Sequence, residues 1–353
     1  MTKEFSIAGR LIGKNSSPYI IAEMSANHNC NINKAFAIID MAKRCGADAV
    51  KIQTYTPDTI TVNSNREDFL IKDGLWAGQT LYQLYEWAHT PWEWHQKLFD
   101  YANKIGITIF STPFDFTAID FLEQLGTPAY KIASFECTDL PLIRRVASTL
   151  KPMIISTGMA NEQEIQEAVD TALSHGSGDL ALLHCVSSYP ANARDYNLKT
   201  LQDMKRRYGI HIGLSDHTLD NTTAVASVAL GAVIIEKHVT LDKNGGGPDD
   251  SFSLEEADLV QLCNASKTAW QALGKVNYER TESEKGNVKF RRSLYFVRPL
   301  TVGDTITKND IRSIRPGFGI SPKYFDSVIG SKVRCNVDEN TPVTQEAIGI
   351  LLD

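Results

Sequence analysis

Short apolar runs that each end at a polar or ionisable residue recur along this chain, and the segments between them have the pattern of helices. Eight such runs can be distinguished, and we predict that each is a strand. The runs are Tyr19–Glu23, Ala49–Gln53, Ile107–Thr112, Ala129–Ser134, Met153–Thr157, Leu180–Cys185, His211–His217 and Ala232–His238. Eight strand–helix units predict an α/β fold of the (β/α)8 TIM-barrel type, whose active site lies at the C-terminal ends of the strands.

Helix boundary signals support this alternation. Thr90–Glu93 combines a capping box with a proline at the first helical position, so a helix is expected to start there and to end before Gly106. Ser253 and Glu256 have the same spacing, which predicts that the last barrel helix begins at Ser253 and runs to Leu273.

A long insertion interrupts the alternation after the second predicted strand. Residues 55–89 leave the expected active-site face and include several aromatic side chains, among them Trp76. Long loops on this face often carry function, so the insertion either covers and shapes the substrate pocket or packs against a neighbouring subunit.

The pattern changes after the last barrel helix. Residues 1–280 are predicted to form the barrel domain, and residues 281–292 are polar and charged, as expected of a linker. Residues 293–353 alternate short apolar segments with turn sequences, which predicts a small, mostly β module. That module is too small to hold a catalytic apparatus of its own.

Composition excludes several functional classes. A TIM barrel needs about 250 residues, so a chain of 353 residues has room for a second domain. The net charge of −6 argues against non-specific nucleic-acid binding. We expect no membrane association, because no apolar run reaches the length of a transmembrane helix and the N-terminus lacks a secretory signal. Six scattered cysteines without a C-x-x-C motif indicate reduced thiols in a cytoplasmic protein.

Ionisable and hydroxyl side chains concentrate at the predicted strand ends. They are Glu23, Lys51, Gln53, Lys131, Ser134, Glu136, Ser156, Ser215, His217 and His238. Two lysines with several hydroxyls suit a phosphorylated anion, and two histidines suit a divalent metal ion. We therefore predict that one mouth of the barrel binds both.

His217 and His238 end two strands that are neighbours in such a barrel. Two imidazoles there could hold a metal such as manganese and leave coordination positions for water and substrate, although a structural hydrogen-bonding role is the alternative. Asp216 could orient His217. His28 and His184 also lie near the mouth but lack the same placement.

Lys51 and Lys131 lie one residue inside the mouth, where an unpaired ammonium group would be costly. Phosphate is the natural partner. Two alternatives are a Schiff-base lysine and an internal ion pair with Glu23, Glu136 or Glu236. Glu23 and Glu136 are also candidates for general acid–base catalysis.

Six segments resemble the sialic acid synthase family of bacterial nonulosonate synthases. They are Ile-Ala-Glu-Met-Ser-Ala-Asn-His-Asn, Val-Lys-Ile-Gln-Thr, Tyr-Lys-Ile-Ala-Ser, Ile-Ser-Thr-Gly-Met, Gly-Leu-Ser-Asp-His-Thr and Glu-Lys-His-Val-Thr-Leu-Asp. Sialic acid synthases usually have Glu-Ala-Gly-Val-Asn-His where this chain has Glu-Met-Ser-Ala-Asn-His, which is similar to the pseudaminic acid branch. Residues 293–353 resemble the antifreeze-like (SAF) domain of these enzymes.

The resemblance implies that phosphoenolpyruvate condenses with the open-chain aldehyde of a deoxy amino sugar to give a nine-carbon 2-keto acid and phosphate. It implies a divalent metal held by His217 and His238, with manganese expected and magnesium or cobalt as alternatives. Glu23 and Glu136 would handle protons and the attacking water. The phosphoenolpyruvate ligands would be Lys51, Lys131, Ser134, Ser156 and Ser215.

The resemblance also assigns the sugar side of the site. Gln53, Tyr189 and Asp249 would orient the sugar, and Ser187 stands where sialic acid synthases have an asparagine. That difference favours 2,4-diacetamido-2,4,6-trideoxy-L-altrose over N-acetylmannosamine, with sialic or legionaminic acid synthesis as the alternative. Arg315 resembles an arginine that reaches from the SAF domain into the partner subunit's site, which implies a domain-swapped homodimer.

Overall fold

The structure is a computed structural model that describes residues 3–351. The chain divides into two compact units, Met1–Gly274 and Lys275–Asp353. Within residues 3–351, no helix combines the length and the apolar character that a membrane span requires.

An antiparallel hairpin opens the first unit, with strands β1 (Phe5–Ile7) and β2 (Arg10–Ile12). Its buried apolar side chains pack in one cluster with Tyr19, Val233 and other residues near the N-terminal ends of the barrel strands. The hairpin therefore covers the end of the barrel opposite the predicted mouth. Sequence analysis did not predict it, because three residues are too few to show a period of two.

Eight parallel strands follow and close into a barrel in the order β10-β3-β4-β5-β6-β7-β8-β9. The predicted TIM barrel is confirmed, and each predicted strand end lies within two residues of the observed one. The strands are β3 (Tyr19–Glu23), β4 (Ala49–Thr54), β5 (Thr108–Pro113), β6 (Tyr130–Ile132), β7 (Met153–Ser156), β8 (Leu180–Cys185), β9 (His211–Ser215) and β10 (Ile234–His238).

Strand β4 shows how the barrel positions functional groups. Val50 and Ile52 join the large core between the strands and the helices, whereas Ala49 joins the cluster inside the barrel. Because side chains alternate along a strand, Lys51 and Gln53 share the inward direction of Ala49. An apolar run can therefore carry polar groups into the mouth without exposing its outer face.

Helices surround the barrel and connect its strands. They are α1 (Ile32–Cys45), α2 (Pro57–Ile60), α3 (Leu81–Ala88), α4 (Trp92–Ile105), α5 (Phe116–Gln124), α6 (Leu140–Ala147), α7 (Glu162–Ser174), α8 (Thr200–Tyr208), α9 (Thr222–Ala229) and α10 (Glu256–Leu273). Gly106 follows α4 in the left-handed conformation, with φ 74°, as expected for a helix C-terminus.

Two predicted helix starts are wrong. The N-cap of α4 is Pro91, because the Thr90 hydroxyl is hydrogen-bonded to His28 Nε2 at 3.3 Å. The N-cap of α10 is Glu255, because Ser253 Oγ donates to the carbonyl oxygen of Asp249 at 2.6 Å. In both cases another hydrogen-bond partner has recruited the side chain that the capping pattern assigned to the helix.

The second unit contains the small module with antiparallel strands that the sequence predicted after the barrel. Strands β11 (Ser293–Phe296) and β12 (Ile311–Ile314) pair antiparallel, and isolated bridges connect further segments. Its helices are short: α11 (Glu282–Lys285), which lies in the predicted linker, α12 (Phe325–Val328) and α13 (Gln345–Ile348). The unit has a separate apolar core that includes Leu294, Phe296, Ile306, Ile311 and Val343.

Candidate active site

The barrel register places predicted functional residues of neighbouring strands side by side. Glu23 on β3 is paired with Lys51 on β4 and with His238 on β10. Glu236 on β10 is paired with Ser215 on β9. Paired positions on neighbouring strands are about 5 Å apart, so these side chains share the upper layers of the barrel.

Lys51 is buried within a group of acceptors. Its Nζ lies 2.8 Å from Glu23 Oε2 and donates to Thr112 Oγ1 at 3.1 Å. The second carboxylate, Glu236, lies 3.9 Å from the same nitrogen. The internal ion pair that the sequence left open for this lysine is therefore present.

Lys131 is also paired inside the barrel. Its Nζ lies 3.0 Å from Glu236 Oε1, and Ser215 Oγ donates to the same oxygen at 3.2 Å. Glu236 thus links both lysines and a hydroxyl that the sequence assigned to anion binding.

The two lysines and two glutamates shift one another's pKa values. Burial would lower the pKa of Lys51, but Glu23 and Glu236 outweigh it and raise that pKa. Burial prevails at Lys131 and lowers its pKa. Burial likewise raises the pKa of Glu23, whereas Lys131 and Lys51 together lower the pKa of Glu236 against the effect of burial. Glu23 is therefore the carboxyl group of this set that most readily takes up a proton.

Ser134 and Ser187 contact Gly158, just after β7, the strand that Ser156 ends. The Gly158 amide donates to Ser134 Oγ at 3.1 Å. A Cβ atom at Gly158 would overlap Ser187 Oγ and approach Ser134 Oγ to 2.8 Å, so a larger residue there would displace these two hydroxyls. The hydroxyls of Ser156 and Ser187 are buried and have no hydrogen-bond partner among residues 3–351. Buried hydroxyls without partners are rare in folded proteins and mark a place where a polar ligand can bind.

His217 and His238 lie together at the mouth, with ring centroids 5.4 Å apart. The Tyr189 ring lies 4.4 Å from that of His217. His217 Nδ1 donates to the carbonyl oxygen of Val186 at 2.8 Å, which leaves the Nε2 lone pair available. His238 Nδ1 is buried without a hydrogen-bond partner among residues 3–351 and lies 3.8 Å from Asp249 Oδ2. These donors fit the predicted two-histidine metal site.

A complete ligand set is not formed by the protein alone. Within residues 3–351, no group of three or more His, Cys, Asp or Glu side chains is arranged to hold a metal ion. A metal on the two imidazoles would need further ligands from water or substrate, as open catalytic sites do.

The predicted sugar side is a hydrogen-bonded chain. Gln53 Nε2 donates to Glu23 Oε1 at 2.9 Å and to Ser25 Oγ at 3.0 Å. Ser25 Oγ donates in turn to Asp249 Oδ2 at 2.5 Å. Two of the predicted sugar ligands, Gln53 and Asp249, are therefore connected through a serine.

Aromatic rings border this chain. Tyr189 lies 5.9 Å from Trp76 and 5.3 Å from Phe252 between ring centroids. The Trp76 indole N–H donates to the carbonyl oxygen of Pro248 at 3.0 Å. The insertion at residues 55–89 thus reaches the loop after β10 and contributes a ring beside Tyr189.

Glu136 follows β6 in a short 3₁₀ turn. Burial raises its pKa to about 7. Its Oε2 atom is buried and has no hydrogen-bond partner within the described part of the chain. A carboxyl group with this pKa can accept or release a proton near neutral pH.

Arg315 is the one predicted site residue that belongs to the second unit; all the others lie in the first. It follows β12 directly, and its side chain is exposed.

Comparison with known proteins identifies the family of this site. The sequence matches the NeuB family over residues 38–278 and the SAF domain over residues 291–348. The chain belongs to the NeuB family. The predicted resemblance and the predicted pairing of a TIM barrel with an SAF domain are therefore confirmed.

Relatives of this NeuB-family enzyme match it over nearly their whole length. Pseudaminic acid synthase of Campylobacter jejuni subsp. jejuni serotype O:23/36 (strain 81-176) is 42% identical over 91% of this chain and 93% of its own. Pseudaminic acid synthase of Helicobacter pylori (strain ATCC 700392 / 26695) is 39% identical over 94% and 98%. The crystal structure of the N-acetylneuraminic acid synthetase of Leptospira borgpetersenii serovar Hardjo-bovis has a TM-score of 0.73 and 32% identity, and the match covers 82% of this chain and 96% of that one.

The contacts in this NeuB-family enzyme show which partners Asp216, His28 and His184 have near the predicted metal pair. Asp216 does not orient His217, because its carboxylate pairs with the buried Lys237 at 2.9 Å and Val186 binds the imidazole instead. His28 is hydrogen-bonded to Thr90, away from the metal pair. The ring of His184 donates to the carbonyl oxygen of Tyr196.

Sequence reasoning missed several residues of the site. Glu236 was considered only as one of three ion-pair partners, although a glutamate within an apolar run was a usable signal. Cys185 was not considered; its Sγ lies 4.0 Å from His217 Nδ1, and His217 lowers the thiol pKa although burial alone would raise it. Ser25 and Gly158 depend on backbone geometry, which the sequence does not display.

Proposed function

We propose that this NeuB-family enzyme is a pseudaminic acid synthase, which condenses phosphoenolpyruvate with 2,4-diacetamido-2,4,6-trideoxy-L-altrose to give pseudaminic acid and phosphate. The observation that carries the proposal is the identity of 39% and 42% to two pseudaminic acid synthases over most of the chain. The N-acetylneuraminic acid synthetase of Leptospira is more distant, at 32%. As a biosynthetic enzyme of this kind, the protein would work in the cytoplasm.

Phosphoenolpyruvate would bind at the lysine end of the mouth. Lys51 and Lys131 supply positive charge, and the hydroxyl of Ser156 is buried without a partner among the described residues. Ser134 Oγ, which accepts from the Gly158 amide, can donate a further hydrogen bond, whereas Ser215 donates to Glu236 and would exchange that partner for the phosphate. Because Glu23 and Glu236 already balance the two lysines, the added negative charge favours a proton on Glu23, whose pKa is raised by burial.

His217 and His238 would hold a divalent metal, which we expect to be manganese, with magnesium or cobalt as alternatives. When bound, the metal supplies Lewis-acid polarisation of the aldehyde oxygen. The protein's own part is to orient His217. The Val186 carbonyl binds Nδ1 of the imidazole and the Tyr189 ring packs on it, so Nε2 remains available to the metal.

The sugar would bind between the metal pair and the aromatic rings. Gln53 and Asp249 provide polar contacts, and Tyr189 provides an apolar face. Ser187 is shorter than the asparagine of sialic acid synthases, which leaves room for a different substituent. Glu136, with a pKa of about 7, can exchange a proton with the reacting groups or direct the attacking water.

Arg315 would complete the sugar site of a second copy of the chain. Its exposed guanidinium can donate to an acetamido oxygen, and the family relationship supports a domain-swapped homodimer. In that arrangement each barrel uses the SAF domain of its partner.

The decisive experiment is a panel of sugars assayed with phosphoenolpyruvate and scored by phosphate release. The altrose-configured diacetamido sugar should have the highest kcat/KM, by at least tenfold over N-acetylmannosamine, because mismatched polar groups in a closed site are strongly discriminated. Preference for N-acetylmannosamine would indicate sialic acid synthesis, and preference for a different diacetamido sugar would favour the legionaminic acid alternative.

Borohydride trapping addresses the remaining alternative, a Schiff-base aldolase that uses Lys51 or Lys131. A condensation that proceeds without an imine leaves no covalent lysine adduct after treatment with borohydride and a carbonyl substrate. A trapped adduct at either lysine would overturn the proposed function, whatever the sugar preference.

A further inference from the structure

Ser25 is held in an unfavourable backbone conformation. Its φ of 45° lies in the left-handed region, where a side chain is disfavoured and glycine is the usual residue. The residue is also buried, at 4% exposure. A non-glycine residue kept in this conformation at a candidate site implies that its side chain is used.

The Ser25 hydroxyl has only one arrangement that satisfies its neighbours. An ionised Asp249 carboxylate accepts hydrogen bonds and cannot donate, so Ser25 Oγ is the donor in their 2.5 Å contact. The serine oxygen then accepts from Gln53 Nε2 at 3.0 Å. Glu23 accepts from the same Gln53 nitrogen at 2.9 Å, which fixes the orientation of the amide.

This arrangement uses every side-chain donor of the Gln53–Ser25–Asp249 group. Gln53 Nε2 donates one hydrogen to Glu23 and the other to Ser25, and Ser25 donates its single hydroxyl hydrogen to Asp249. What remains are acceptors: Gln53 Oε1 and Asp249 Oδ1 make no hydrogen bond within the described residues.

We propose that Ser25 is a specificity-determining positioning residue that makes the Gln53–Asp249 edge of the sugar subsite an acceptor-only surface, so that this edge selects a sugar presenting N–H or O–H donors to Asp249 and Gln53. This inference rests on the proposed function and deepens it. The acetamido N–H groups of a diacetamido sugar are donors of the required kind.

Ser25 can be changed without loss of the surrounding loops, because other contacts hold them. Asn27 Nδ2 donates to the carbonyl oxygen of Val239 and to Ser253 Oγ, both at 2.8 Å. Ser253 Oγ in turn donates to the Asp249 carbonyl at 2.6 Å. The backbone of Asp249 is therefore anchored independently of Ser25, and loss of the Ser25 hydroxyl frees only the two side chains it connects.

The test compares the diacetamido altrose with two analogues in which the amide N–H at C2 or at C4 is replaced by an ester oxygen. The wild-type enzyme should use at least one analogue about tenfold less well in kcat/KM, the cost of leaving an acceptor unpaired. Ser25→Ala and Ser25→Gly should lose most of that discrimination while the KM for phosphoenolpyruvate and the metal content stay unchanged. The matched control is Ser266→Ala, which removes another buried hydroxyl, in α10, and should keep the wild-type ratio.

A double-mutant cycle shows whether Ser25 acts through Asp249. In an Asp249→Asn background, Ser25→Ala should change the discrimination by less than twofold, because the group it positions has already been altered. Full wild-type discrimination in Ser25→Ala, or equal effects of Ser25→Ala in both backgrounds, would overturn the inference. If the wild-type enzyme prefers N-acetylmannosamine, the same amide-to-ester comparison is made on that sugar, so an error in the sugar assignment is separable from an error about Ser25.

Discussion

Lys131 and Glu236 form a buried ion pair in which Lys131 Nζ lies 3.0 Å from Glu236 Oε1. The same carboxylate lies 3.9 Å from Lys51, so one side chain on β10 balances two lysines from β4 and β6. The barrel can therefore keep two ammonium groups ready for an anion, because neither is buried without a counter-charge.

Glu236→Gln should destabilise the folded protein by about 3–5 kcal/mol, since it leaves buried positive charge uncompensated. Phosphoenolpyruvate should then raise the melting temperature more in this variant than in the wild type, because its negative charge replaces the missing carboxylate. Thermal denaturation with and without phosphoenolpyruvate measures both effects. The control is Glu256→Gln, which breaks an exposed pair with Arg44 and should leave the melting temperature nearly unchanged. Equal, small losses in the two variants would contradict the prediction.

Much of the fold was predictable because parallel barrel strands are buried on both faces and end abruptly at polar residues. An apolar run that ends at a polar residue made the strand ending at His238 recognisable from its sequence. The positions of such strand ends in turn located the mouth of the barrel. The hairpin at β1 and β2 was not predictable, because its strands are shorter than the periodicity needs. Thr90 and Ser253 misled the helix predictions, because other partners recruit their side chains: Thr90 bonds to His28, and Ser253 accepts from Asn27 and donates to the Asp249 carbonyl.

The candidate site was predictable only in part. Residues at strand ends, such as Lys51 and His217, were found because their strand positions determine their direction. Ser25 was missed as a site residue, because its importance comes from a left-handed backbone and from a contact with Asp249, more than 200 positions away. Contacts of this kind depend on the closed barrel and leave no local signal in the sequence.

His217→Ala and His238→Ala should each lose the bound metal and remain folded, because both side chains lie at the mouth and not in the apolar core. Elemental analysis of the purified variants, with circular dichroism as the check on folding, measures the two properties separately. His175→Ala is the matched control, since His175 caps the exposed end of α7 and should keep the wild-type metal content. Full metal occupancy in both mouth variants would remove the assignment of the ligands.

Glu136 should make stability depend on pH near neutrality. Burial raises its folded-state pKa from an ordinary value near 4.5 to about 7, so the folded protein favours the protonated form. The resulting stabilisation is complete below about pH 4.5 and is lost as the pH rises through 7. The free energy of unfolding of Glu136→Gln minus that of the wild type should therefore increase by up to about 3 kcal/mol from pH 5 to pH 8. Urea denaturation at the two pH values measures this difference, and parallel pH curves for the two proteins would contradict it.

Arg315 is exposed and belongs to the SAF domain in the second unit, not to the barrel unit. If its guanidinium binds the sugar of the partner subunit, Arg315→Ala should raise the KM for sugar and leave metal content and folding unchanged. Arg312→Ala, which removes an exposed arginine from strand β12, three residues before Arg315, should leave the KM unchanged. The swap itself is tested by mixing Arg315→Ala subunits with inactive His217→Ala subunits.

A swapped heterodimer of those two variants contains one barrel with intact His217 that receives intact Arg315 from its partner. Random exchange of equal amounts should therefore restore about a quarter of the sites to the wild-type KM for sugar. If each SAF domain serves its own barrel, no such site forms, because every intact barrel keeps its own Arg315→Ala substitution. Proven heterodimers that show only the raised KM of the Arg315→Ala enzyme would therefore exclude the swapped arrangement.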